Sequence, residues 1–264
     1  PAQDVEYWLG RALLEQGEHE RLLEELEPED SWPDAAGARL HALRARAFLA
    51  QDEPTRAVES FRRAEALAAD ELEVHLARIQ LALSEEDHEA AREAAETTLE
   101  AFPEEGRAWS MAARAALARG DLEEGERALT RAIEYLDRPL EERLLRARVR
   151  VSRGTPEQAL EDIEAIESLA GQHPRVTFVR GLIAWSRGEW DSACEHMQEV
   201  VSDAPEFAEA RLYRGACDYR EGQYNRALSH LRLANNALAA PTATRLLAAT
   251  YVALEQPNQA RSVL

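Results

Sequence analysis

The 264-residue sequence predicts an all-α solenoid, a stack of helix pairs without a sheet. Three observations carry that expectation. Small residues return at Ala57, Ala91, Gly125, Ala159, Ala193 and Ala227, always 34 residues apart. Five residues before each stands a turn position, namely Asp52, Glu86, Gly120, Gly154, Gly188 and Gly222. The composition is that of helices, with 49 alanines, 45% apolar residues, only 6% aromatics and too few β-branched side chains for a sheet core. A period held through six units marks a repeat array, in which each unit buries its apolar face only against its neighbours.

The elements follow in order within each unit. Seven residues before the turn lies another small or medium residue: Ala45, Ile79, Ala113, Ala147, Gly181 and Gly215. Two helices closing to roughly 8–10 Å need such residues where they cross. In one unit, Trp109, Ala112, Ala113 and Ala116 mark a first helix, and Leu122, Leu129 and Ile133 a second. The pairs Gly120-Asp121, Gly188-Glu189 and Gly222-Gln223 end one helix and begin the next. Pro54, Pro156 and Pro257 fall in the first turn of a second helix, where a missing amide costs nothing. Pro103, Pro205 and the stretch 171–174 supply the second break. The register extends to Gly10, Gly17 and Leu22 at one end and to Ala248, Glu255 and Ala260 at the other. The units then read 3–36, 38–71, 72–105, 106–139, 140–173, 174–207, 208–240 and a shortened 241–264, one solenoid over residues 1–264. The connection 27–34, with Trp32 and Pro33, is the irregular one and is expected to bend the stack. A start at Pro1 without Met, and an end at Leu264 inside a helical pattern, read as a segment of a longer protein.

Charge and motifs exclude several functions. Fifty acidic against 31 basic side chains give a net charge of −19, and every base is Arg. That argues against a general nucleic-acid binder, which needs a basic footprint to displace counterions. No run approaches the eighteen apolar residues of a membrane span. There is no phosphate loop, nucleophile motif or zinc-ligand spacing, so no catalytic residue, metal or cofactor is expected. His41 and His75 occupy equivalent positions one repeat apart, as do His196 and His230, too far to share a metal. Cys194 and Cys217 fall on a second helix and the following first helix. Two buried thiols are the default, and a disulfide is conceivable where the compartment oxidises. Trp109 and Trp190 stand at packing positions and are expected in the core, and Asp218 stands where an aromatic is expected.

The period and its residues resemble the tetratricopeptide (TPR) repeat. The signature Trp, Leu-Gly, Tyr, Ala, Phe, Ala and Pro is met by Trp109, Leu9-Gly10, Tyr251, Ala57, Phe61, Ala64 and Pro103, and Arg180-Gly181 and Arg214-Gly215 follow a variant of the Leu-Gly pair. The resemblance covers essentially the whole chain and implies eight helix-turn-helix units in a right-handed superhelix. A narrower resemblance lies in residues 245–260 and 8–17, which look like the TPR proteins of exosortase (PEP-CTERM) exopolysaccharide clusters, of PrsT type. It implies a periplasmic lipoprotein or secreted protein in export or surface organisation; a cytoplasmic place is also compatible with the sequence.

The TPR resemblance also implies that first helices line a concave groove, where positions 2, 5, 9 and 12 share a face. Position 9, counted from Ala38, is Arg46, Gln80, Arg114, Arg148, Leu182 and Ala216, with Arg11 in the first unit. Positions 5 and 12 bring Phe178, Trp185 and Tyr219 to the later units, with Tyr213 adjacent. The candidate partner-binding residues are therefore Arg11, Arg46, Arg114 and Arg148 as an arginine ladder, and Phe178, Trp185, Tyr213 and Tyr219 as an aromatic floor. The first helices of units two to seven carry +11, which leaves −30 for the rest. Arg suits bidentate capture of carboxylate or phosphate, but each ladder residue has internal pairing as its alternative, and each aromatic has packing. The position-7 arginines (Arg44, Arg78, Arg146, Arg180 and Arg214) are better placed to pair within the stack. The expected function is a non-catalytic scaffold binding an extended protein or peptide, or an anionic polysaccharide. The alternative is a regulatory or assembly domain of an enzyme encoded beyond these residues.

Overall fold

A computed structural model describes residues 2–264, and the described residues form sixteen helices and no strand. The chain divides into two compact units, Pro1–Glu142 and Arg143–Leu264. The first holds α1 (Ala2–Gln16), α2 (His19–Glu25), α3 (Asp34–Ala50), α4 (Pro54–Ala68), α5 (Leu72–Ser84), α6 (His88–Ala101), α7 (Gly106–Ala118) and α8 (Leu122–Tyr135). The division falls inside α9 (Leu140–Ser152). The second continues with α10 (Pro156–Ala170), α11 (Pro174–Ser186), α12 (Trp190–Asp203), α13 (Ala208–Arg220), α14 (Tyr224–Leu238), α15 (Pro241–Ala253) and α16 (Pro257–Val263). Odd-numbered helices are the first of each pair and even-numbered helices the second, an α-solenoid of repeated helix pairs.

The turn inside every pair is the same. Gly17, Asp52, Glu86, Gly120, Gly154, Gly188, Gly222 and Glu255 all have positive φ, between 57° and 80°. A left-handed residue after the last helical turn closes a helix and redirects the chain. Glycine adopts it freely, and three units meet the demand with Asp or Glu at a cost. Pro54, Pro156 and Pro257 each open the second helix in the first turn.

Packing explains the small residues. A β-carbon on Gly181 would stand 2.6 Å from Met197 Cε, and one on Gly215 2.6 Å from Leu231 Cγ. In each case the first helix of a pair closes on its own second helix. Second helices then cover the following pair: Phe61 and Ala64 of α4 share a cluster with Val74 and Ala77 of α5, and Ala91, Ala94 and Ala95 of α6 share one with Met111 and Ala115 of α7. In the irregular connection, Trp32 is half-buried against the cluster that includes Leu22, Leu26, Leu40 and Leu43.

Two expectations need correction. Trp190 is not core: as the first residue of α12 it lies at a helix end with 37% exposure, its ring edge-on to Trp185 at 5.1 Å and capped by Arg220 at 4.7 Å. Cys194 and Cys217 are not two thiols but a disulfide between α12 and α13, with Cα atoms 5.8 Å apart, within the ordinary bridging range. Trp109 is half-buried and donates its indole N–H to the Pro103 carbonyl at 2.8 Å.

Candidate functional site

Arg11, Arg46 and Arg114 of the ladder lie in the first unit, whereas Arg148 lies in the second with the floor. In the first unit the central feature is a buried carboxylate. Glu73, at position 2 of α5, is 1% exposed. It accepts from Tyr7 Oη of α1 at 2.8 Å and from Arg107 Nη1 of α7 at 2.6 Å, both at Oε1, and its Oε2 faces Arg46 Nη1 of α3 at 3.3 Å. Arg46 Nε donates on to Gln80 Oε1 at 2.9 Å. One acid thus ties four first helices through side chains up to 66 residues apart.

The electrostatics agree with the geometry. Burial by itself would push the Glu73 carboxyl up, but Arg107 and Arg46 outweigh it and hold it below the usual carboxylate range. Burial lowers the Arg46 guanidinium, with the Glu73 charge opposing. Burial, then the neighbouring Glu73, raises the Tyr7 phenol.

Each ladder member therefore has a different standing. Arg46 is held inside the network. Arg11 donates to Glu15 at 3.0 Å and lies 5.2 Å from the Trp8 ring centre. Arg114 is exposed and makes no ion pair or hydrogen bond among the described residues. Arg148 of α9 pairs with Glu209 of α13 at 2.8 Å, both groups about two-fifths exposed, and sits 6.0 Å from the Phe178 ring centre. An exposed pair of that kind contributes roughly 0–1 kcal/mol, so an incoming anion can replace Glu209.

The aromatic floor belongs to the second unit, and all of it except Tyr219 is continuous. Phe207 lies 4.7 Å from Phe178, Phe178 6.0 Å from Tyr213, Tyr213 5.1 Å from Trp185, and Trp185 5.1 Å from Trp190. Phe178 is 2% exposed and supports the others from beneath, presenting no surface of its own. Trp185, Tyr213 and Tyr219 are half-buried. Burial, then Glu209, raises the Tyr213 phenol. Tyr219 stands apart with Tyr224, 5.4 Å away.

The position-7 arginines all pair inside the chain. Arg44 donates to the Leu23 and Leu26 carbonyls at 2.9 and 2.5 Å, Arg78 to Glu65 at 3.0 Å and Arg180 to Glu167 at 2.5 Å. Arg146 holds the fully buried Asp162 at 2.6 and 2.9 Å, with Arg150 at 3.0 Å on the same carboxylate. Arg214 pairs with Asp218 at 2.5 Å. Asp218 is thereby explained: it is a buried counterion, with His230 Nε2 3.7 Å away.

Sequence reasoning missed Glu73, Tyr7, Arg107, Phe207 and Arg220. One signal was available. Position 2 alternates through Arg39, Glu73, Arg107, Glu141, Arg175 and Glu209, opposite charges on successive first helices. The contributions of Phe207 and Trp190 had no such signal, because they come from helix ends outside the groove positions.

A family profile described as tetratricopeptide repeat matches residues 76–139, 144–206 and 180–234, more than half of the chain. No curated protein gives a significant match. Among solved structures, a chain of the APC/C hetero-tetramer Cut9-Hcn1 is similar at 16% identity and a TM-score of 0.73, over 85% of this chain and 44% of its own length. A repeat protein from Parabacteroides merdae ATCC 43184 is similar at 12% identity and 0.68, over 86% and 90%. The human IFIT1 dimer with PPP-AAAA is similar at 15% and 0.60, over 95% and 70%. These likenesses are of fold. The chain spans less than half of the Cut9-Hcn1 chain that it matches.

Proposed function

This chain belongs to the tetratricopeptide repeat family, and we propose that it is a non-catalytic scaffold whose first-helix surfaces receive an extended, partly anionic partner. Proteins of this family generally mediate protein–protein interaction. The observation that carries the finer reading is that two ladder cations remain available, Arg114 without a partner among the described residues and Arg148 held only by an exposed Glu209, the latter beside a connected aromatic surface. Arginine beside half-buried Tyr and Trp is the composition of an interaction hot spot. The first-helix register continues unbroken past residue 142, which supports reading residues 1–264 as one repeat domain.

The place of action is part of the proposal. A buried disulfide persists where the compartment oxidises, and this supports a periplasmic or secreted protein. An anionic exopolysaccharide then becomes a partner alongside an acidic peptide. None of the described helices is long and apolar enough to cross a membrane.

The test measures binding of two labelled probes, a glutamate-rich peptide carrying Leu and Phe and an alginate oligosaccharide, to the wild-type chain and to a double variant R114E/R148E. Binding that weakens with salt, and at least tenfold in the double variant, is expected for one probe. Equal binding by wild type and variant, or none by either probe, sinks the groove reading. Which probe binds decides between peptide and glycan.

A further inference from the structure

The ion pair between Arg148 and Glu209 skips a helix. Arg148 stands at position 9 of α9 and Glu209 at position 2 of α13, 61 residues on. In the first unit the same two positions meet one repeat apart, as Arg46 of α3 and Glu73 of α5, 27 residues on. That spacing offers Arg148 only Arg175 of α11, a like charge. The guanidinium reaches past α11 instead, lying 6.0 Å from the ring centre of Phe178 on that helix. The pair is thus drawn across the aromatic floor, where Phe178 meets Tyr213.

Two neighbouring side chains of α13 differ in how firmly they are held. Phe207, the N-cap residue, packs on the buried Phe178 at 4.7 Å and fixes the start of the helix. Glu209, in the first turn, meets Arg148 at 2.8 Å with both groups about two-fifths exposed. A carboxylate in a first turn is favoured by the positive end of the helix whether or not it has a cation. Glu209 can therefore leave Arg148 without unwinding α13. The rings beside it indicate what takes its place. Tyr213 stands at 81° to Trp185 and Trp185 at 88° to Trp190, whose ring Arg220 caps. Rings set edge to face make a stepped surface that suits an apolar side chain better than the flat ring of a sugar.

We infer, on the reading that these first-helix surfaces receive an anionic partner, that Glu209 is a built-in competitor for that partner. It occupies Arg148 where the carboxylate of an incoming peptide belongs, and the peptide carries an aromatic or aliphatic residue next to its acid. Binding exchanges one carboxylate for another at Arg148, while the apolar neighbour covers the half-buried Tyr213 and Trp185. An anion without that neighbour gains nothing from the exchange. Glu209 thereby selects for partners that bear both features, by disfavouring those that bear one.

The experiment measures binding of the labelled glutamate-rich peptide carrying Leu and Phe, and of the labelled alginate oligosaccharide, to the wild-type chain, E209Q and E206Q. The last removes the same charge from an exposed position between α12 and α13. E209Q should bind the peptide about threefold tighter than wild type, within the roughly fivefold that an exposed pair of this kind is worth. E206Q should bind as wild type does, and the gain should vanish in R148Q/E209Q compared with R148Q. Equal peptide binding by wild type and E209Q leaves the groove reading standing and overturns the competitor role. A gain that E206Q matches, or that survives without Arg148, overturns it too, because charge alone then explains it. A gain for alginate and none for the peptide overturns the choice of partner. Peptide binding by neither wild type nor E209Q overturns the groove reading and the competitor role together.

Discussion

A buried carboxylate decides the fate of a guanidinium 27 residues away in this chain. Glu73 is nearly out of solvent, and its pairing with Arg107, Arg46 and Tyr7 ties α5 to three neighbouring first helices. Breaking a buried pair by removing one charge costs about 3–5 kcal/mol. Because Arg46 and Arg107 keep a fifth of their exposure, Glu73→Gln should cost about 3 kcal/mol, at the low end of that range. The sign with pH follows from the depressed carboxyl. Its contribution is fully present above the unfolded-state value near 4.3 and is lost as pH falls through the lower folded-state value. Urea denaturation of wild type and variant at pH 7 and pH 3 checks both points: the gap should shrink on acidification, and a constant gap would refute the role. The left-handed turns offer an independent test at the same scale. Glu86 holds φ 57°, so Glu86→Gly should raise stability by about 0.5–1 kcal/mol, read as a higher denaturation midpoint. An unchanged or lowered midpoint would mean that the Glu86 side chain contributes more than its backbone costs.

At the scale of helices, the disulfide is the strongest added constraint. It closes a 23-residue separation between α12 and α13, for which loop entropy alone gives about 3 kcal/mol. Replacing Cys194 and Cys217 together by Ser should lower stability by about that amount. Reductant should do the same to wild type and nothing to the variant. Equal wild-type midpoints with and without reductant would show that the bridge does not form in solution. Helix pairing was legible because the crossing residues and the turns each keep the 34-residue spacing. The bridge was not legible: Cys194 and Cys217 fall on consecutive helices, but spacing alone does not bring the two sulfurs together, and it favoured two free thiols over the bond that forms.

Over the whole molecule, the sequence separated a basic set of first helices from an acidic remainder, and that separation has two uses in the structure. Position 7 is internal, as Arg78 with Glu65 and Arg180 with Glu167 show. Position 9 is divided: Arg46 serves the Glu73 network, and Arg114 is exposed to solvent. The periodic pattern names the face a residue lies on but not which acid, one repeat along, reaches it first. For that reason the helix pairs could be read from spacing, whereas the candidate site could be read only as a set of positions. The aromatic surface shows the same limit, since Phe178 shares the register of the floor and is buried under Phe207 and Tyr213.

The shared left-handed turn has a further consequence for how such a chain can change length. Gly188 and Gly222 adopt φ 75° and 74° and each precedes a second helix. Excising residues 189–222 would join Gly188 to Gln223 across one whole period, with the same backbone geometry on both sides of the splice. The cut also removes Cys194 and Cys217 together, so no orphan thiol is left. The shortened chain should keep its helicity per residue by circular dichroism and unfold cooperatively, whereas a cut three residues longer should not. Because every unit carries the same left-handed joint between its two helices, gene duplication or loss in steps of one period can lengthen or shorten this scaffold without redesigning its core.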